Sequence, residues 1–214
     1  MFFSGMELFM KAVVIAGGDI YDYEAIKKLI DPDDFIICAD SGFLHAKKMG
    51  IRPNIVMGDF DSCTKPDEDG FRVITYPPEK DFSDTYLAVD TARKEGYRNI
   101  LILGAIGSRF DHTLANYHLL YYLMKQGVFA RIVNENNEIF LIEHTYRVDG
   151  KKGDKIALIP LFSDVTVTAQ GLYYPLNQTK LSFDVCTGIS NVFLEDTVEI
   201  SVEGGVLSVI KFKE

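Results

Sequence analysis

The sequence predicts an α/β N-terminal domain on a mostly parallel sheet, residues 1 to 136, followed by an all-β antiparallel sandwich domain, residues 137 to 214. Three observations predict it. Through residue 134, short apolar runs alternate with stretches of helical period, the arrangement that builds parallel strands from βαβ units. Beyond that point the helical period is lost, and short alternating stretches separated by turn residues such as "DGKKGD" and "VEGGV" take over, which is the pattern of a small antiparallel sandwich. Between the two, the polar stretch Asn134 to Asn137 marks the junction.

Each element has its own local reason. Apolar runs predict strands at Ala12 to Ala16, Phe35 to Ala39, Ile55 to Met57, Phe71 to Tyr76, Asn99 to Leu103 and Ala130 to Val133. Helices fill the gaps at Tyr23 to Leu29, Phe43 to Met49, Ser83 to Glu95 and Thr113 to Gln126. In the third of these, Ser83 is a natural N-cap and Gly96 a natural stop. In the second half, alternation predicts strands at Lys155 to Ile159, Val165 to Ala169, Leu181 to Val185, Thr197 to Val202 and Val206 to Phe212.

Composition narrows the class. With 47% hydrophobic residues and 25% charged residues in 214, the chain is an ordinary globular one with enough length for a real core. A formal net charge of -9 argues against a nucleic-acid or anionic-membrane partner, both of which need clustered Lys and Arg. Cys38, Cys63 and Cys186 lie far apart with no CxxC pair, which is neither a disulfide framework nor a zinc site and points to a reducing cytoplasm. The opening MFFSGMELFMK lacks a basic n-region and a cleavage pattern, and no run reaches the roughly 20 apolar residues that span a bilayer.

Ligands of open parallel sheets bind where the loops leave the carboxyl ends of the strands. Five such strand ends carry acids: Asp19 after Gly17-Gly18, Asp40 before Ser41-Gly42, Asp59 and Asp61 in "GDFDS", Asp81 and Asp84 in "EKDFSD", and Asp111 in "GAIGSRFDH". Turn and N-cap chemistry accounts for one acid per loop, and Asp19 reads as a turn residue on that basis. It does not account for two. In an extended segment Asp59 and Asp61 would face the same side, a repulsion that is relieved by a cation between them or by full solvation.

A crevice of carboxylates rejects phosphates unless Mg²⁺ is present, a hard cation that combines a few carboxylates with substrate oxygens and water. Arg109 can grip a phosphate through its planar fork, and Lys80 can neutralise another; either could also be a surface ion-pair partner. Asp111 and His112 are expected just before the fourth helix and Asn116 in its first turn, so that one turn can aim all three at the same mouth, although a lone histidine beside a helix start is more often a structural hydrogen-bonding group than a catalyst. Gly104 and Gly107 would allow close backbone approach. The common NTPase phosphate loop, the dinucleotide fingerprint and the nucleophile elbow are all absent from the sequence.

Taken in order, these motifs resemble the thiamin pyrophosphokinase family from about Ala12 to the C-terminus. The resemblance rests on Ala39-Asp40-Ser41-Gly42, Gly58-Asp59-Phe60-Asp61-Ser62, Glu79 to Asp84, and Gly107 to His112 with Leu114-Ala115-Asn116. Gly171 to Leu176 and Gly188-Ile189-Ser190-Asn191 add two further landmarks. The resemblance implies Mg²⁺-dependent transfer of the pyrophosphoryl group of ATP to the hydroxyl of thiamin, giving thiamin diphosphate and AMP. It implies a homodimer with active sites between subunits. It also implies that Asp40, Asp59, Asp61 and Asp84 serve metal and phosphates, with Asp59, Asp61 and Asp84 the metal ligands and Asp111 a further catalytic acid. Lys80, Ser83, Arg109, His112 and Asn116 would complete the ATP site, and Ser190 and Asn191 would lie near thiamin. Three positions depart from the family pattern: Ser108 stands where a second glycine is usual, Ser83 where threonine is usual, and Val192 replaces an acid. Other readings of the same residues are a different Mg²⁺-dependent phosphoryl or nucleotidyl transferase, or a nucleotide or thiamin sensor.

Overall fold

The computed structural model describes residues 10–60, 70–77, 79 and 81–213. Within it the chain forms two compact units, Leu8–Glu135 and Asn136–Glu214.

The first unit is α/β. Its strands are β1 (Ala12–Ile15), β2 (Phe35–Ala39), β3 (Ile55–Gly58), β4 (Arg72–Thr75), β5 (Asn99–Leu103) and β6 (Phe129–Val133), in the spatial order β6-β5-β1-β2-β3-β4. Every neighbouring pair runs parallel. β1, β3 and four of the five residues of β2 and β5 are buried, which is why these runs are apolar without alternation. The helices are α1 (Tyr23–Lys27), α2 (Gly42–Met49), α3 (Asp84–Lys94) and α4 (Phe110–Lys125). Ile26, Phe43, Ala46 and Met49 pack with Val13, Ile15, Cys38 and Leu103 in one hydrophobic cluster. Each large aliphatic side chain buried this way contributes about 1.5–3 kcal/mol of transfer free energy.

The helix ends follow sequence chemistry in three places. Asp22 caps α1 by accepting the Ala25 N–H at 2.9 Å. Ser83 caps α3 by accepting the Tyr86 N–H at 3.2 Å, as its position before a helical run predicts. Gly50 closes α2 at φ 65°, a left-handed conformation that suits glycine. The fourth helix differs from expectation: it begins at Phe110, three residues before Thr113, with Arg109 as an extended N-cap whose carbonyl accepts the Thr113 N–H. No polar side chain caps it, so the sequence carries no start signal there.

The second unit is antiparallel. Four of its strands lie side by side in the order β12 (Asn191–Val192), β9 (Lys155–Leu161), β14 (Val206–Phe212) and β7 (Asn137–Ile142). The other four run in the order β11 (Leu176–Leu181), β10 (Val165–Ala169), β13 (Thr197–Glu203) and β8 (Tyr146–Asp149). β10 and β13 alternate buried and less buried positions as a sandwich face requires. Two expectations need correction. The strand expected at Leu181 to Val185 lies earlier, at Leu176–Leu181, because Asp164 pulls the chain out of the ladder by accepting the Phe183 N–H and the Ser182 hydroxyl. β7 and β8 are strands that the alternation did not single out.

Candidate active site

The order of the first sheet locates the site. From β1 the chain steps outward through β2, β3 and β4, then returns across the sheet to β5 and β6, so strand order reverses between β1 and β5. Loops leaving the two strands at that switch diverge and open a crevice at their carboxyl ends. A crevice of about 650 Å³ lies there. Its walls come from all five strand-end loops: Gly17, Gly18 and Asp19; Asp40 and Ser41; Asp59; Asp81 to Thr85; and Gly104, Gly107, Ser108 and Arg109. Helix α4 adds His112, Thr113 and Asn116.

The backbone approaches closely at the switch. The Gly18 N–H donates to the Gly104 carbonyl at 2.7 Å and the Asp19 N–H to that of Ile106 at 2.8 Å. A Cβ on Gly18 would lie 2.5 Å from the Gly104 oxygen and 2.7 Å from that of Ile106, so only glycine fits. Asp19, which reads as a turn residue, does both jobs: its Oδ2 accepts the Ser108 N–H at 3.0 Å and its carboxylate lines the crevice.

Of the acids expected in the site, Asp40, Asp59 and Asp84 all line the crevice. Asp40 sits at φ 46°, in the left-handed region that Asp tolerates better than most residues, with its N–H donated to the Met57 carbonyl at 2.7 Å. β3 ends at Gly58, just before Asp59, and Phe60 is left-handed at φ 59°. Asp61 and Lys80 lie outside the described residues. Ser83 and Asp84 enter the crevice on the first turn of α3, whose positive dipole end faces the same space.

Arg109, His112 and Asn116 also line it, whereas Asp111, expected there with them, is not among the lining residues. Because α4 begins at Phe110, Asp111 and His112 both lie in its first turn, about 100° apart. His112 and Asn116, four residues apart, share the crevice face. Asp111 accepts Arg109 Nε at 2.9 Å and Nη2 at 2.6 Å. The guanidinium, opposed slightly by burial, holds the Asp111 carboxyl well below the usual carboxylate range. Asn116 is buried and donates its amide to the Ala105 carbonyl at 2.9 Å, which fixes the loop after β5.

In the second unit, Asn191 is buried and its amide is engaged internally. Oδ1 accepts the Tyr174 N–H at 3.0 Å and the Val192 N–H at 2.9 Å, while Nδ2 donates to the Tyr174 carbonyl at 2.8 Å. Ser190 beside it is exposed and left-handed at φ 59°. Phe193 is wholly buried in the sandwich. Around Asn191 lie exposed Tyr173, Tyr174 and Ile189.

Comparison with known proteins agrees with this anatomy. Residues 26–132 match the family model described as thiamin pyrophosphokinase, catalytic domain, and residues 143–207 match thiamin pyrophosphokinase, vitamin B1 binding domain. The thiamine pyrophosphokinase of Bacillus subtilis (strain 168) is 30% identical over 212 residues, covering 94% of this chain and 99% of that one. The crystal structure of thiamine pyrophosphokinase from Bacillus subtilis superposes with a TM-score of 0.86 at 27% identity, over 95% of this chain and 99% of that chain. That of thiamin pyrophosphokinase from Geobacillus thermodenitrificans does so with a TM-score of 0.82, also at 27% identity, over 96% and 98%. Two family models that together match most of the chain, with a relative 30% identical over 99% of its own length, show that the chain belongs to the thiamin pyrophosphokinase family.

Proposed function

We propose that this thiamin pyrophosphokinase, a diphosphotransferase, binds ATP with Mg²⁺ in the crevice between the β1 and β5 loops and transfers its β,γ-pyrophosphoryl group to thiamin. The observation that carries this reading is the convergence of Asp40, Asp59, Asp84 and Arg109 on one crevice at the topological switch point.

The donor chemistry fits Mg²⁺. The three acids offer hard carboxylate oxygens, which suit Mg²⁺ rather than a thiolate-preferring metal. Among the described residues no group of three or more His, Cys, Asp and Glu could hold an ion. Asp59 and Asp84 would therefore hold the ion only together with Asp61, phosphate oxygens and water. When bound, the ion neutralises charge on the phosphate oxygens. Arg109 exchanges Asp111 for a phosphate through the same planar fork. The N-terminus of α3 and the glycine-lined loops after β1 and β5 receive the remaining anionic oxygens. The hydroxyl oxygen of thiamin then bonds to the β-phosphorus while the bond from that phosphorus to the α,β-bridging oxygen breaks, and AMP leaves with that oxygen. Of the two acids offered as acceptor of the hydroxyl proton, Asp84 and Asp111, Asp84 takes it in this reading. Asp111, tied to Arg109 and poorly basic, serves to hold the arginine.

Ser190 belongs to the thiamin contact in this proposal, with Asn191 as the brace that sets its turn. Tyr173, Tyr174, Phe183, Val185 and Ile189, all exposed, supply the apolar surface for a homodimer with the active site at the subunit boundary. Cys38 and Cys186 are free thiols, which suits a cytoplasmic location. No helix among the described residues is long and apolar enough to cross a membrane.

Mass detection of the products after mixing protein, thiamin, ATP and Mg²⁺ tests the reading. Thiamin diphosphate with AMP supports it; ADP, or saturable binding without product, overturns it.

A further inference from the structure

Helix α2 carries a histidine that reaches the crevice wall from behind. His45 is half-buried, and its Nε2 lies 2.8 Å from the Gly18 carbonyl oxygen. Its Nδ1 lies 2.8 Å from the Tyr23 hydroxyl. A carbonyl can only accept, so Nε2 carries the proton. In the neutral ring Nδ1 is then the acceptor and Tyr23 the donor. Lys48 completes the chain by donating to the Tyr23 oxygen at 3.3 Å, with its ammonium 5.2 Å from the centre of the Tyr23 ring. Donation therefore runs one way, from Lys48 through Tyr23 and His45 to Gly18. Burial, with Lys48 beside it, keeps the imidazole neutral, although the Gly18 bond and Asp19 favour its charged form.

The recipient peptide is a sensitive one. Gly18 and Asp19 are held on their other side by the carbonyls of Gly104 and Ile106 and by the Ser108 N–H, so the loop after β1 is gripped between the β5 loop and His45. The plane of the 18–19 peptide decides where Asp19 and the glycine backbone face the crevice.

We infer that His45 is a positioning residue of the nucleotide site, whose imidazole fixes the Gly18–Asp19 peptide from α2 and thereby shapes the wall against which the triphosphate is bound. The inference rests on the nucleotide reading of the crevice. A second member of the same chain, Tyr23, acts by orienting the ring.

Two amide substitutions separate the functions of the ring nitrogens. In His45→Gln the amide nitrogen takes the place of Nε2 and keeps the bond to Gly18; in His45→Asn the shorter side chain reaches only the Nδ1 position. Steady-state kinetics on the full chain with ATP, Mg²⁺ and thiamin, together with thermal melting, form the experiment. The expected result is a KM for ATP raised about tenfold in His45→Asn, the equivalent of one ordinary hydrogen bond. The thiamin KM and kcat should stay within about twofold, and His45→Gln should recover most of the loss. Tyr23→Phe, which removes only a hydroxyl, should raise the ATP KM about threefold. An unchanged ATP KM in His45→Asn overturns the inference, as does equal impairment by Asn and Gln in step with a common fall in melting temperature. If His45→Asn does not fold, an unchanged ATP KM in Tyr23→Phe overturns it. Absence of turnover in the unsubstituted protein instead overturns the nucleotide reading itself.

Discussion

The Arg109 and Asp111 side chains are 68% and 64% exposed, so their bidentate pair adds little to stability, yet it presents the guanidinium fork already spread. An exposed pair of this kind exchanges partners cheaply. Arg109→Lys should leave the melting temperature unchanged and raise the ATP KM about tenfold, because an ammonium cannot offer two parallel N–H groups. Steady-state kinetics with a parallel thermal melt checks both halves. Asp59→Asn and Asp84→Asn remove charge without volume. Each should retain cooperative unfolding and lose kcat by about 10²–10³-fold, the magnitude usual for a lost electrostatic group at a reacting centre. Wild-type turnover in both at limiting Mg²⁺ would remove them from the metal site.

Elements are joined by a few buried polar contacts whose loss is readable. Asp90 of α3 is buried, accepts Arg93 Nη2 at 2.8 Å and Lys94 Nζ at 2.7 Å, and receives the Tyr122 hydroxyl of α4 at 2.7 Å. Burial pushes its pKa up, but the bonds from Lys94, Tyr122 and Arg93 together prevail and hold it below the ordinary value. A depressed carboxyl pKa stabilises the fold above the unfolded-state value, and that contribution fades as pH falls through the folded-state value. The stability difference between the protein and Asp90→Asn should therefore be present at pH 7 and shrink once pH drops below about 4, as urea titrations at several pH values would show. Close approach of α2 to β1 is a second such joint. A Cβ at Gly42 would fall 2.0 Å from the Ile15 carbonyl oxygen, so Gly42→Ala should destabilise by more than about 2 kcal/mol. Ser83→Ala, which removes the α3 cap, should cost about 1 kcal/mol. Both are measurable by chemical denaturation.

For the whole molecule, the exposed apolar side chains of the second unit are the surface on which the proposed homodimer rests. Ile189 and Tyr173 are 53% and 61% exposed beside the buried Asn191. Sedimentation velocity should give a dimer, and Ile189→Asp should shift it toward monomer while leaving far-ultraviolet circular dichroism unchanged. A monomeric unsubstituted protein would remove the subunit boundary from the proposed active site.

The sequence by itself determined the fold class, because burial on both sheet faces forces continuous apolar strands such as Ala12–Ile15 and Asn99–Leu103, and sandwich strands such as Val165–Ala169 must alternate. It also determined that acids gather at the strand ends, and Asp40, Asp59 and Asp84 do line one crevice. Tertiary structure decided which way individual side chains face. Asp111 is taken up by Arg109, in a helix turn that starts at Phe110 without a capping side chain. Asp19 proved to be a wall of the site, since its partner, the Ser108 N–H, is 89 residues away in sequence. The grip of His45 on Gly18 was equally invisible, because a contact between separate βα units leaves no mark on the periodicity of either.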